Sequence, residues 1–190
     1  MTPARTYPTI GACGIDCGLC PRFHANGRSR CPGCCGMGFD QVHPSCPVVT
    51  CCVIKRGLQV CAECQEYPCE VFSRPATLRD SFVTHQRMAA NQEAIQRFGL
   101  AAFVLAQGER LTMLEEMLGW FDDGRSKSFY CLAAALLSVD GLHRAIDTAG
   151  DDGDVKARAK SLRAVLEAQA VDEEVALELR DDRPTARDSE

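Results

Sequence analysis

The side chains of this sequence with the clearest capacity for chemistry are its cysteines, which occur in closely spaced pairs. Three pairs have two residues between the cysteines and a fourth has four: Cys17/Cys20, Cys31/Cys34, Cys61/Cys64 and Cys46/Cys51. Two cysteines at such a spacing direct both sulfurs toward one metal ion, while backbone N–H groups of the intervening turn stabilise the thiolates. The spacing therefore predicts four-thiolate metal sites, and zinc is the cofactor that we expect in them.

The order of the pairs indicates two sites without fixing which cysteines share an ion. The first would use Cys17, Cys20, Cys31 and Cys34, and the second would use Cys46, Cys51, Cys61 and Cys64. Four further cysteines supply enough sulfur for a third site or for exchange with the others: Cys13, Cys35, Cys52 and Cys69. His24 and His43 lie at no paired spacing, so we expect surface or packing roles for them.

An iron-sulfur cluster is the alternative cofactor. Cys13, Cys17 and Cys20 have the spacing with which radical-SAM enzymes hold three irons of a [4Fe-4S] cluster, and a proline follows Cys20, Cys31 and Cys46. The remaining chain is too short and too helical in pattern for the barrel of that enzyme class, which we exclude. The four-cysteine run of bacterial ferredoxins is also missing, but the cluster itself stays open.

The distribution of cysteines favours metal over disulfides. Twelve of the thirteen precede residue 72. Residues 1–10 contain no apolar stretch that would serve as a secretion signal, so we expect a reducing, cytoplasmic location in which thiols stay reduced. The longest apolar run is about nine residues, whereas a membrane span needs about 20.

The change in composition divides the chain into two lobes and a tail. Residues 1–72 hold eighteen large apolar side chains, several between Pro and Gly, which is a thin core. A structural zinc site contributes about 10–16 kcal/mol, enough to decide whether such a segment folds. We predict a small, irregular, metal-bound lobe of zinc-knuckle or ribbon type at 1–72, an all-α lobe at 73–180, and a disordered tail at 181–190.

The second lobe has the periodicity of five or six helices. Two apolar stripes at helical spacing predict buried helix faces: Leu111, Leu114, Leu118 and Phe121 form one, and Ala159, Leu162, Leu166 and Ala170 form the other. Residues 129–139 are apolar on nearly every side, which predicts a central helix with Cys131 as a small buried residue.

No catalytic constellation is visible in the second lobe, and whether the protein is an enzyme stays open. Residues 122–128 combine carboxylates, basic residues and hydroxyls, a composition suited to capping the next helix or to binding a small anion. His85, Arg110 and Tyr130 are the side chains that would join such an anion site.

Charge argues against nucleic acid as a partner. Residues 1–72 carry a net charge of +1 and the remainder −6, and thiolates bound to metal would make the first lobe negative as well. Neither lobe then offers phosphates a basic face. A protein partner or a small ligand is the remaining class, and the sequence gives no oligomeric state.

Several motifs follow one another along the chain: 13–21 (CGIDCGLCP), 31–34 (CPGC), Cys46, Cys51, 55–57 (KRG), 61–64 (CAEC) and 67–70 (YPCE). This series resembles that of a cysteine-rich prokaryotic family, the domain of unknown function 3795, and 122–131 is similar to a segment of longer members. The family carries no established activity, and the resemblance implies a zinc-binding or cluster-binding protein. It strengthens ten cysteines as ligands: Cys13, Cys17, Cys20, Cys31, Cys34, Cys46, Cys51, Cys61, Cys64 and Cys69. Cys35 and Cys52 look like additions of one branch.

Three functions are consistent with these observations. The leading prediction is a binding or interaction module in which zinc shapes the first lobe and the acidic helical lobe docks a partner. The second is an iron-sulfur redox protein or cluster-dependent enzyme. The third, thiol-based metal handling, follows from the surplus of thiols beyond two sites.

Overall fold

Helices are the only regular elements in the parts of the chain that the structure, a computed structural model, describes: residues 2–43, 45–74 and 80–180. The predicted helical class is thereby confirmed for these ranges.

The cysteine-rich part is built from short turns. Its elements are 3-10 turns at Cys17–Leu19, Gly27–Ser29 and Cys61–Glu63, the one-turn helix α1 at Phe39–Val42, and a π-helical segment at Val49–Lys55. Glycine and proline recur every few residues here, so no longer helix propagates. Loops therefore present most of the cysteines.

Five longer helices form the second part: α2 (Met88–Phe98), α3 (Leu100–Trp120), α4 (Lys127–Leu136), α5 (Val139–Ala149) and α6 (Val155–Asp172). Gly99, with φ of +85°, separates α2 from α3. Side-chain N-caps start the last two helices: the Ser138 hydroxyl accepts from the Gly141 N–H, and the Asp154 carboxylate accepts from the Ala157 N–H. Five helices agree with the predicted five or six.

The two predicted stripes face the helical core. Leu162 and Leu166 are fully buried, and Leu114 and Phe121 are 0% and 4% exposed. Met113 and Met117, which the apolar stripe omitted, are also buried, while Leu111 and Leu118 pack at its edge.

The predicted central helix is α4. Tyr130 and Cys131 are buried on it together with three consecutive alanines, and Cys131 is 2% exposed, as expected of a small core residue. The helix ends at Leu136, before the predicted end at Val139, because Ser138 already takes the extended conformation that caps α5.

Apolar contacts cross the predicted boundary at residue 72. Leu19, from the cysteine-rich part, belongs to the core of α3–α6, and Met88, from α2, is 1% exposed among buried cysteines. Ile10 and Val60 pack with Ile95 of α2 in a third cluster. Apolar side chains of the two parts are therefore packed in the same clusters. The division of the chain into 1–72 and 73–180 stays a prediction from composition.

The predicted disordered tail at 181–190 lies outside the described residues. Within the described ranges, no helix has the length and apolar character needed to cross a membrane.

Candidate metal centre

Six cysteines line one cavity in the N-terminal part. The cavity has a volume of about 670 Å³, and the thiols come from four separate stretches of chain: Cys13, Cys17, Cys20, Cys31, Cys34 and Cys46. All thirteen cysteines of the protein are free thiols. The first predicted quartet therefore shares one space, and Cys46 joins it instead of the second quartet.

Two glycines let the cysteine loops approach their neighbours. Gly14 has φ of +89°, and a Cβ there would stand 2.8 Å from the Met88 carbonyl oxygen of α2. Gly33 has φ of +83°, and a Cβ there would stand 2.2 Å from the Pro8 carbonyl oxygen. Both positions require glycine on two grounds, backbone conformation and space.

Two adjacent amides of α2 hold the loops that carry the cysteines. Asn91 donates from Nδ2 to the Gly14 carbonyl at 2.8 Å and to the Asp16 carboxylate at 3.0 Å. Gln92 donates to the Ala12 carbonyl at 3.0 Å and accepts from the Ala62 N–H at 2.7 Å. Both amide side chains are almost fully buried, so the helical part fixes the loops on either side of Cys13 and beside Cys61.

Asp16 is a buried carboxylate, at 3% exposed. Burial raises its pKa to about 6, although the hydrogen bond from Asn91 and the charges of Arg87 and Arg110 oppose the rise. Gln107 of α3 also donates to it. Asp16 immediately precedes Cys17, so its hydrogen bonds link the loop that carries Cys17 to both α2 and α3.

Most of the cavity thiols are held in the neutral form. Burial, together with the neighbouring Cys34, raises the pKa of Cys13 to about 12. Burial is also the main cause that raises the pKa of Cys17, Cys20 and Cys46. A metal ion that bound these sulfurs would displace their protons, since the thiolate is the ligand.

Cys34 is the exception among them. Its Sγ lies 3.9 Å from the Sγ of Cys35, and the Ala12 N–H donates to it at 3.5 Å. The hydrogen bond from Cys35 and the charge of Arg5 lower the pKa of Cys34 to about 6, against the effect of burial. The thiolate form is therefore more favoured at Cys34 than at Cys13, Cys17, Cys20 or Cys46.

Arg5 is a buried charged residue beside Cys34 that the cysteine pattern did not indicate. Its side chain is 6% exposed, and Nη1 donates to the carbonyl oxygens of Ile10 at 2.6 Å and Cys34 at 3.4 Å. Nε and Nη2 are buried and have no hydrogen-bond acceptor among the described residues. The signal in the sequence was slight: it is the single charge within residues 1–10.

The remaining candidate cysteines lie outside the cavity lining. Cys52 hydrogen-bonds with Cys61, a contact that is the largest cause of the raised pKa of Cys61, and Cys69 lies near the same thiol. Cys51 and Cys64 lie beside Arg56, whose guanidinium forms an exposed ion pair with Glu66 at 2.6 Å. We call these five the outer thiols: Cys51, Cys52, Cys61, Cys64 and Cys69.

A comparison with known protein families matches the cysteine-rich part of the chain. Residues 9–74 match the model of a family described as a protein of unknown function (DUF3795). We call these residues the DUF3795 segment. The match includes all the cavity and outer thiols and ends before α2, so the resemblance predicted for 122–131 lies beyond it. No curated protein and no solved structure matches the chain.

The arrangement of side chains in the DUF3795 segment does not by itself define a metal site. Across the described ranges, no three or more His, Cys, Asp or Glu side chains converge in the arrangement of a metal site. The assignment of the ten predicted cysteines as ligands, and of zinc as their metal, stays a prediction. Cys35 and Cys52, set aside as additions, are only 2% and 3% exposed and contact Cys34 and Cys61.

The two histidines of the DUF3795 segment lie in contacts that suit packing. The ring Nε2 of His24 is 2.7 Å from the Gly18 carbonyl oxygen. His43 stacks on Phe39 with ring centroids 4.5 Å apart and lies at the cavity wall.

The carboxylates of the loop at 122–128 accept hydrogen bonds from groups of the same loop. Asp122 accepts from the Gly124 N–H, and Asp123 accepts from the Arg125 N–H and the Ser126 hydroxyl, all at 3.0 Å. These bonds form a turn ahead of α4, but the N-cap residue Ser126 makes no side-chain capping bond to the helix, so the predicted capping is not seen at that residue. Of the side chains proposed to join an anion site there, Arg110 donates to the carbonyls of Ala134 and Leu137, Tyr130 donates to Phe121, and His85 lines the thiol cavity.

Proposed function

We propose that the DUF3795 segment is a metal-binding module whose centre lies in the cavity lined by Cys13, Cys17, Cys20, Cys31, Cys34 and Cys46. The observation that carries this proposal is the sharing of one space by six thiols from loops that are distant in sequence. The thin apolar core of the segment gives metal a structural purpose, since a thiolate site supplies the stability that the core lacks.

Zinc is the first candidate for the metal. Cys17, Cys20, Cys31 and Cys34 all reach the cavity wall, and four thiolates complete the tetrahedral shell of Zn²⁺. Such a closed shell leaves no position for a substrate or an activated water. The module would then act by shape, and the acidic helical part would dock a protein partner or a small ligand.

An iron-sulfur cluster is the second candidate, and one observation favours it. Cys13, Cys17 and Cys20 line the same cavity. A cluster would make the module a redox protein or part of an enzyme.

Purification without oxygen, followed by elemental analysis and absorption spectroscopy, tests the proposal. One or more zinc ions per chain with a colourless protein supports the first candidate. Iron with inorganic sulfide and visible absorption supports the second. A protein that holds less than half an equivalent of either metal, and takes up neither on reconstitution under reducing conditions, would overturn the proposal.

A further inference from the structure

Arg5 is a buried charge that no carboxylate compensates within the described ranges. A guanidinium keeps its charge at every pH that a protein experiences. Here the group is 94% buried, since its exposed fraction is 6%, and no ion pair within the described ranges includes it. A buried charge without a counter-charge is strongly destabilising, which makes an anion near Arg5 necessary.

Three thiols lie near the guanidinium. The positive charge of Arg5 favours the thiolate form of Cys34, Cys35 and Cys52, and Cys34 also lines the cavity. Nη1 is already fixed by the carbonyl oxygens of Ile10 and Cys34. This anchor sets the plane of the guanidinium and leaves Nε–H and Nη2–H as the two donors without an acceptor.

We propose that Arg5 is the charge-compensating partner of the metal centre, donating hydrogen bonds from Nε and Nη2 to metal-bound cysteine thiolates, that of Cys34 first. This inference rests on the proposed metal-binding function. A Zn²⁺ ion with four thiolates carries a net charge of −2, so the centre is the anion that Arg5 lacks. Hydrogen bonds to the ligand sulfurs also orient them, as outer-shell partners of metal ligands do.

An arginine suits this position better than a lysine. Its planar fork presents several donors in fixed directions, so one edge can hold the backbone while another holds sulfur. A lysine ammonium would keep the positive charge, but it has no planar fork with which to bind the backbone on one edge and sulfur on another. Arg5 is thus a positioning residue, which acts on the metal through its ligands.

Titration of the metal-free, reduced full chain with Co²⁺ tests the inference. The sulfur-to-cobalt charge-transfer band reports both affinity and the electronic state of the thiolates. We expect Arg5→Met to weaken Co²⁺ binding about 10- to 100-fold and to shift the band. Arg5→Lys, which keeps charge and stem, should weaken binding less and still shift the band. The control Arg28→Met removes an exposed arginine of the same segment and should change neither.

The outcomes separate this inference from the proposed function. Wild-type protein that binds Co²⁺, with Arg5→Lys and Arg5→Met matching it in affinity and band position, would overturn the role of Arg5 and leave metal binding intact. If Arg5→Met does not fold, the band of Arg5→Lys decides, since an unshifted band at wild-type affinity contradicts the hydrogen bonds. Wild-type protein that binds neither Co²⁺ nor Zn²⁺ and reconstitutes no cluster would remove the proposed function itself.

Discussion

The Nδ2 group of Asn91 in α2 lies 3.0 Å from Oδ2 of Asp16, the residue that immediately precedes the cavity cysteine Cys17. Both side chains are buried, at 1% and 3% exposed, and the same amide also serves the Gly14 carbonyl. A helix outside the DUF3795 segment therefore determines where a cysteine loop of that segment lies.

Replacing Asn91 by leucine is expected to destabilise the protein. Leucine has the same number and branching of side-chain heavy atoms, but the Gly14 carbonyl loses its donor, at a cost of about 1–3 kcal/mol for the group left unsatisfied, and the Asp16 carboxylate keeps only the hydrogen bond from Gln107. Urea unfolding of the metal-loaded protein measures the change. Gln96→Leu on the same helix is the control, because that exposed amide reaches the Ala62 carbonyl only at 3.5 Å. Equal stabilities for the two variants would contradict the prediction.

Gly33→Ala should be far more damaging than Gly57→Ala. Both glycines have positive φ, +83° and +66°, so each substitution carries a backbone cost of about 1–2 kcal/mol. The new Cβ at residue 33 would also meet the Pro8 carbonyl oxygen at 2.2 Å, whereas residue 57 has nothing within 4 Å. Thermal unfolding should show a much larger fall in Tm for Gly33→Ala. Similar falls would mean that the loop before Cys34 yields to the clash at little cost.

Cys20→Ser is expected to lose bound metal, and Cys131→Ala to keep it. The two thiols are neighbours, and both are buried: Cys20 is 9% exposed and Cys131 is 2% exposed. Only Cys20 lines the cavity of the six thiols. Elemental analysis after gel filtration under reducing conditions should find less than half of the wild-type metal in the first variant. Cys64→Ser, which removes an outer thiol, reports whether a second centre exists. Full retention by Cys20→Ser would place the metal elsewhere.

Glu173 predicts a pH-dependent contribution to stability. It accepts from the Ser138 N–H and hydroxyl at 2.7 and 2.6 Å and from Gln169 at 2.8 Å, at the start of α5. Burial raises its pKa, but these hydrogen bonds outweigh burial and hold the pKa below its ordinary value. A lowered pKa in the folded state means stability that is present above the unfolded value of about 4.3 and is lost as the pH falls through the folded pKa.

Glu173→Gln should therefore be less stable than wild type at pH 7, and the difference should shrink as the pH falls below about 4. Unfolding curves of both proteins at pH 7, 5 and 3 provide the measurement, and the difference between the two cancels the effect of acid on metal binding. A difference in the free energy of unfolding that stays constant from pH 7 to pH 3 would show that the charge of the Glu173 carboxylate does not contribute to stability. Glu167→Gln, on the exposed face of α6, is the matched control.

The sequence was most informative where structure follows from local periodicity. The spacing of Leu162 and Leu166 was sufficient to predict a buried face of α6, because helical neighbours are three or four residues apart. The cysteine spacings likewise indicated which sulfurs leave the chain on the same turn. Local spacing, however, contains no information about which turns meet, so the grouping of Cys46 with Cys13 required the fold.

The residues that sequence reasoning missed act over long separations. Asn91 and Gln92 look like ordinary polar residues of an amphipathic helix, and their burial depends on loops some 75–80 residues away. Arg5 has no acidic residue near it in sequence, so the sequence contains no sign of a partner for it. Its environment of thiols exists only after the chain has brought residue 34 next to residue 5.

The side chain of Leu19 stands between two cavity cysteines in sequence, yet it fills space among α3 and α4 at 3% exposed. The short turn Cys17–Leu19 and the cysteine that follows it therefore belong to two environments at once: the sulfurs line the cavity, and the leucine is part of the core of α3–α6. The wall of the cavity and the interior of the helical bundle are joined through a single residue.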